Sequence, residues 1–171
     1  MKIIDHVTAA DAMGNSLAYT VIELTETELI GGDPLENTHR YWVPAGSDIH
    51  DSETYLEPLD TVDTNFTSDY RLYRETYGFL FPAEIKAARE QLGLTLREAA
   101  LILAMSFATL SNIENSLLLQ SFDQEIKLRL LTQPNDLRNL IRQHRPLIRS
   151  RAPKNDVNAD KLFSKLNLAI D

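Results

Sequence analysis

The chain has 171 residues, 17 Lys and Arg against 25 Asp and Glu, a formal net charge of -8 and no cysteine. That length suits one compact domain or two small ones; the missing cysteines exclude disulfides, thiolate metal ligands and a cysteine nucleophile. No apolar run is long enough to span a bilayer, and no basic segment followed by an apolar one opens the chain. A cytoplasmic protein without a membrane partner is expected.

An acidic chain is a poor candidate for binding nucleic acid until its charge distribution is read. From Met1 to Leu80 the only basic residues are Lys2, Arg40, Arg71 and Arg74. From Phe81 onward the balance turns mildly positive. Leu137 to Asn155 carries Arg138, Arg142, Arg145, Arg149, Arg151 and Lys154 with no acidic residue. This asymmetry points to two functional halves. The basic stretch reads either as a solvated tail or, beside a DNA-reading motif, as a phosphate clamp.

The elements follow in chain order. Leu17 to Leu24 is rich in β-branched and aromatic residues and predicts a strand. Gly31-Gly32-Asp33-Pro34 is turn chemistry, and His39 to Val43 predicts a returning strand. Two strands alone are marginal, so a third strand, a helix or a partner must complete them. Ser47 to Asp63 reads as an acidic surface loop. Tyr70 to Tyr77 predicts a lead-in helix ended by Gly78. Pro82 suits the first turn of the next helix, whose Ile85, Ala88 and Leu92 recur at helical spacing up to Gly93. Thr95 and Glu98 form a capping box opening a helix to Leu103. Ser106 caps a helix to about Asn115, and Ser121 with Gln124 opens one to Leu131. Leu137, Leu140 and Ile141 mark a fifth helix stopped near Pro146. Pro146 to Asn158 reads as an exposed linker, and Leu162, Phe163, Leu166 and Ile170 as one face of a terminal helix.

The informative spacing lies between Ala99 and Ile113. Two short helices crossing near a right angle need small residues at their contact and a tight turn. Ala99 and Ala100 supply the contact, Leu103, Leu110 and Ile113 the apolar positions, and Ala104-Met105-Ser106 the turn. Caps, small residues and turn length agree on a helix-turn-helix. An ordinary helical bundle is the alternative.

Tyr73-Arg74, Leu80 to Arg89, Leu92-Gly93-Leu94-Thr95, Arg97 to Ala100, Thr109-Leu110-Ser111 and Glu114-Asn115 together resemble the C-terminal domain of MqsA-type antitoxins, within the wider Cro/repressor-like group of regulators. The resemblance covers about residues 70 to 131. It implies a helix-turn-helix that dimerises and represses a toxin–antitoxin operon, with an N-terminal domain that holds a toxin. In the family that domain binds zinc. Here Tyr41 to Asp48 resembles its second metal knuckle with Val43 and Gly46 or their neighbours where cysteines would stand. His6, His39, His50 and His144 are too dispersed to form a zinc set, so no metal and no cofactor are expected. The DNA-reading helix departs as well: Asn112 stands where the family usually has arginine, and Leu96 where it usually has glutamine.

The expected fold is therefore α+β. A β-rich, acidic, partner-binding region spans 1–69, a five-helix Cro/repressor-like helix-turn-helix domain 70–146, and a basic linker with a terminal helix 147–171. Double-stranded operator DNA is the expected partner, with a possible toxin and a homodimer. Ser106, Phe107, Ala108, Thr109, Ser111 and Asn112 form the expected recognition segment. Asn112 can bond adenine in two places, and Phe107 or Ala108 can meet a thymine methyl. Arg97, Arg138, Arg142 and Arg145 are the expected phosphate ligands. The structural alternatives are that Asn112 and Arg97 are plain solvated helix residues. Dimer contacts are expected around Leu117-Leu118-Leu119 or the helix from Leu137 to Ile141, unless these leucines fill the core. No glycine-rich phosphate loop, G-x-S-x-G elbow or H-E-x-x-H pair occurs, and Asp48, His50 and Asp51 read as loop rather than a hydrolytic cluster. An enzyme is not expected. The competing function is a protein-interaction module built on a drifted helix-turn-helix.

Overall fold

The computed structural model describes residues 1–10, 13–61 and 63–168. It divides into two units, Met1–Tyr77 and Gly78–Asp171.

In the first unit, strands β1 (Lys2–Ala10), β2 (Ser16–Ile30) and β3 (Asp33–Pro44) form an antiparallel sheet in that order. Ile30 pairs with Asp33 across Gly31-Gly32, both at positive φ (63° and 97°). Such a two-residue connection matches the twist of the flanking strands. Consequently Asp33 and Pro34 belong to β3 rather than to a loop. Both strands run past their expected ends because Thr25, Glu26, Thr27 and Glu28 continue the pairing opposite Leu35 to Thr38. β1 was not expected. It pairs with β2 through an irregularity between Ile3 and Asp5, which places Ile4, Val7 and Ala9 against Tyr19, Val21 and Trp42.

Helix α1 (Thr64–Tyr77) packs on β3 and β2. It begins six residues before the expected start and belongs to this unit, so the division falls at 77/78 instead of 69/70. The reason is side-chain chemistry that a hydrophobic pattern misses. Buried Asn65 accepts from the Arg40 N–H and donates to the Arg40 carbonyl, both at 2.8 Å. It thereby occupies the edge of β3 as a neighbouring strand would. Trp42 is paired in the same way with Leu56 (2.8 and 3.0 Å). The edge is capped at both points, which removes it as a template for a foreign strand.

Between sheet and helix lies His39, only 3% exposed. Its Nδ1 is 2.8 Å from Glu26 Oε1 and its Nε2 2.8 Å from Asp69 Oδ1. Burial disfavours the charged ring, yet the two carboxylates outweigh it and hold His39 above its ordinary value. Tyr41 donates to the same Glu26, and its phenol is pushed well upward by burial and by that carboxylate.

The second unit contains α2 (Pro82–Gln91), α3 (Leu96–Ile102), α4 (Phe107–Glu114), α5 (Phe122–Arg129), α6 (Pro134–Gln143), α7 (Arg145–Arg151) and α8 (Ala159–Lys165). Ile85, Leu110, Ile113, Leu128, Leu137, Ile141, Leu162 and Phe163 are almost wholly buried in one core. The expected linker of 146–158 is instead α7 and a 3-10 turn, Pro153–Asn155. Pro146 opens α7 in its first turn, where a missing N–H is tolerated, and Ile148 and Ala152 are buried. Leu162, Phe163 and Leu166 do form the buried face of a terminal helix; Ile170 lies outside the described residues. No single helix among the described residues is long and apolar enough to cross a membrane.

Two outcomes test the first unit. A Cβ on Gly31 would lie 2.5 Å from Tyr73 Cε2, whereas one on Gly32 meets nothing within 4 Å. Both alanine variants suffer the positive-φ penalty of about 1–2 kcal/mol, but Gly31→Ala should lose measurably more stability in urea. Equal losses would contradict the Tyr73 contact. Second, a raised His39 pKa contributes stability in full below the unfolded value of 6.5, and that contribution disappears as pH rises through the folded value. The stability gap between wild type and His39→Gln should therefore narrow with increasing pH across this window.

Candidate nucleic-acid interface

Helices α3 and α4 meet at 116°, within the range of the helix-turn-helix unit. Each boundary of the pair has a local cause. Thr95 and Glu98 form the full capping box, with Glu98 N–H donating to Thr95 Oγ1 (3.2 Å) and Thr95 N–H to Glu98 Oε2 (2.7 Å). Lys165 adds its ammonium to the buried Glu98 carboxylate at 2.6 Å. Burial opposes that charge, but Lys165 and Thr95 prevail and hold the Glu98 carboxyl below its ordinary value. α3 ends with Ala104 at φ 51°. The Met105 N–H reaches the Ala100 carbonyl (2.9 Å) and the Ala104 N–H the Leu101 carbonyl (3.2 Å), the paired closure of a Schellman motif. Alanine in this conformation costs about 1–2 kcal/mol relative to glycine.

A buried ion pair orients α4. Arg89 on α2 donates Nε to Glu114 Oε1 and Nη2 to Glu114 Oε2, each at 2.8 Å, and Nη1 to the Leu94 carbonyl, also at 2.8 Å. The two side chains are only 9% and 4% exposed. Arg89 thus joins α2, the α2–α3 turn and the C-terminal turn of α4. Both residues stand in the resembling motif, but nothing in a 25-residue separation announces that they pair.

Of the expected recognition segment, Leu110 and Ile113 face inward while Phe107, Ala108 and Asn112 are exposed. Ser106 is the N-cap: its Oγ accepts from the Thr109 N–H at 2.9 Å and lies 2.7 Å from Thr109 Oγ1. These two hydroxyls therefore serve the helix start first. The Ser111 carbonyl accepts from the Asn115 amide at 2.8 Å. Asn112 remains on the open face. Arg97 is brought to the same place, its guanidinium 5.3 Å from the Phe107 ring centre and 3.8 Å from Asp156.

The other expected phosphate ligands are distributed differently. Arg138 is turned inward, donating Nε to the Leu166 carbonyl at the end of α8 (2.9 Å). Arg142 is exposed and bonds Asn139 within its own helix (3.0 Å). Arg145 lies 4.8 Å from the Phe163 ring centre, and Arg149 bonds Asp160 at 2.7 Å while flanking the same ring. Much of the basic stretch thus holds α6, α7 and α8 together. Val43 is fully buried and Gly46 occupies a turn at φ 90°. Among the described residues no group of His, Asp and Glu is placed to hold a metal ion.

A family model described as Helix-turn-helix matches residues 85–123, from α2 to the start of α5. No curated protein and no solved structure matches the chain. Segment 85–123 is a helix-turn-helix, and the match supports a DNA-binding regulator of transcription.

Arg89→Met would leave the Glu114 carboxylate buried without its partner. Breaking a buried pair in this way costs about 3–5 kcal/mol, so the urea midpoint should fall sharply. A loss under about 1 kcal/mol would show that the pair does not hold α4.

Proposed function

We propose that the chain is a dimeric repressor that reads double-stranded operator DNA with α4, acts on its own operon as an antitoxin does, and uses its acidic first unit to bind a partner toxin rather than to catalyse a reaction. The observation carrying the DNA reading is the α3–α4 pair, crossing at 116° with Asn112, Ala108 and Phe107 on its open face, in a segment matched as a helix-turn-helix. The antitoxin role rests on the motif resemblance alone.

A second reading has its own support. The open face of α4 carries no cation, and Arg97 is shared with Asp156. A helix-turn-helix of this kind also suits a protein-interaction module. Mobility shift on the DNA upstream of the chain's own gene separates the two readings. Asn112→Ala should weaken cognate binding by about 1–3 kcal/mol and leave nonspecific binding unchanged. Arg142→Ala should weaken both and flatten the log affinity–log salt slope by about 0.9. If neither variant alters DNA binding while a partner protein is lost from pull-downs, the interaction module is the correct reading.

Half-sites about 34 Å apart are read by dimers. Leu137 and Ile141 fill the core, which leaves Leu117 (60% exposed) together with Phe122 (70%) and Ile126 (56%) as the apolar surface proposed for pairing. Light scattering should give a dimer at micromolar concentration, and Phe122→Glu should convert it to a monomer with weakened operator binding. An unchanged dimer in that variant would move the interface elsewhere.

A further inference from the structure

A cavity of about 260 Å³ opens between the end of α3 and helices α5, α6 and α7. Its apolar walls include Leu101, Leu130, Leu140, Leu147 and Ile148. Among the described residues the polar side chains lining it are Lys127, His144 and Arg151, with no carboxylate. Lys127 is shared with Asp123 at 3.3 Å. Among the described residues the His144 and Arg151 side chains have no hydrogen-bond or ion-pair partner.

This arrangement selects its occupant by chemistry. Apolar walls penalise any ligand carrying several charges, because each charge buried without a partner costs heavily. One carboxylate is different, since a guanidinium fork can bind both its oxygens. The volume lies just under the usual range for ligand pockets, roughly 300–1,000 Å³, so a single ring or a short chain fits and a nucleotide does not. We infer that the cavity is a binding site for a small monocarboxylic acid with an apolar body, its carboxylate held at Arg151 and its body against Leu101, Leu140 and Leu147.

The location gives such a ligand a route to regulation. Leu103 and Ala104, the first residues of the α3–α4 turn, belong to the same wall. An occupant that favours one arrangement of this turn shifts the position of α4, and a ligand acts only through such a difference. The binding site itself does not depend on the DNA reading, so the two can fail separately.

Full-length protein titrated with octanoate, benzoate and 1-octanol, followed by ¹H–¹⁵N NMR, tests the site. At least one acid should shift resonances of Leu101 to Ala104 and Leu147 to Arg151 saturably, at or below about 1 mM, with octanol at least tenfold weaker. Arg151→Gln should lower acid affinity about tenfold and leave octanol unchanged. Leu147→Glu, at an exposed position, should abolish acid binding by placing a carboxylate at the mouth. The wild-type comparison of acid with alcohol decides the matter even if a variant folds poorly. No saturable shift, equal affinity for acid and alcohol, full retention in Arg151→Gln, or shifts that follow protein concentration instead of ligand would each overturn the proposal. The last would mean that a second copy fills the cavity. Mobility shift with and without the bound acid then reads any effect on DNA, and acid binding without that effect would leave the site standing while removing its regulatory role.

Discussion

Arg89 and Glu114 place a two-point ion pair inside the core of the helix-turn-helix unit, and the geometry of α4 depends on it. α4 is only eight residues long, too short to be stable by itself. Its orientation comes from what holds its ends. Ser106 closes the first turn, Leu110 and Ile113 anchor the middle, and Glu114 ties the last turn to α2. A fork-shaped guanidinium bonded at three acceptors limits rotation as well as distance. A lysine at position 89 would supply the charge without that angular constraint.

The same device appears in the first unit with different groups. His39 bridges Glu26 on β2 and Asp69 on α1, and Asn65 joins α1 to the edge of β3. Among the described residues no buried side-chain nitrogen or oxygen lacks a partner. Polar contacts therefore specify which surfaces meet in both units, while apolar burial supplies the driving force. The fully buried Val43 illustrates the apolar share.

Electrostatics divides the chain in a less simple way than its charge pattern suggests. The arginines from 138 to 149 look like a clamp for phosphates, yet Arg138 closes the end of α8, and Arg145 and Arg149 flank Phe163. A long cationic side chain can cover apolar surface and still expose its charge. Arg142 and Arg97 are the more open of the expected ligands, and Arg97 faces Asp156.

Local rules made much of this legible in advance. The Thr95–Glu98 capping box, Ser106 as N-cap, Pro82 at a first turn and Gly93 after α2 identify four helix boundaries from chemistry that acts within a few residues. The small Ala99-Ala100 contact and the short turn after Leu103 likewise identified the helix-turn-helix. Other boundaries obeyed the same physics with uninformative residues: Ser116, Asp156 and Asn167 all take the left-handed closure that glycine would have announced. The strand β1, the extra turn and a half of α1 and the folding of 146–158 into the core were decided by tertiary packing. Their apolar content is low or irregular, and their stability draws on partners outside the segment, such as Asn65 with Arg40 and Arg149 with Asp160. The sequence alone therefore determined where α2, α3 and α4 begin and which pair forms the helix-turn-helix. Only the folded chain decided which arginines remain available to a ligand, because that depends on contacts between residues dozens of positions apart.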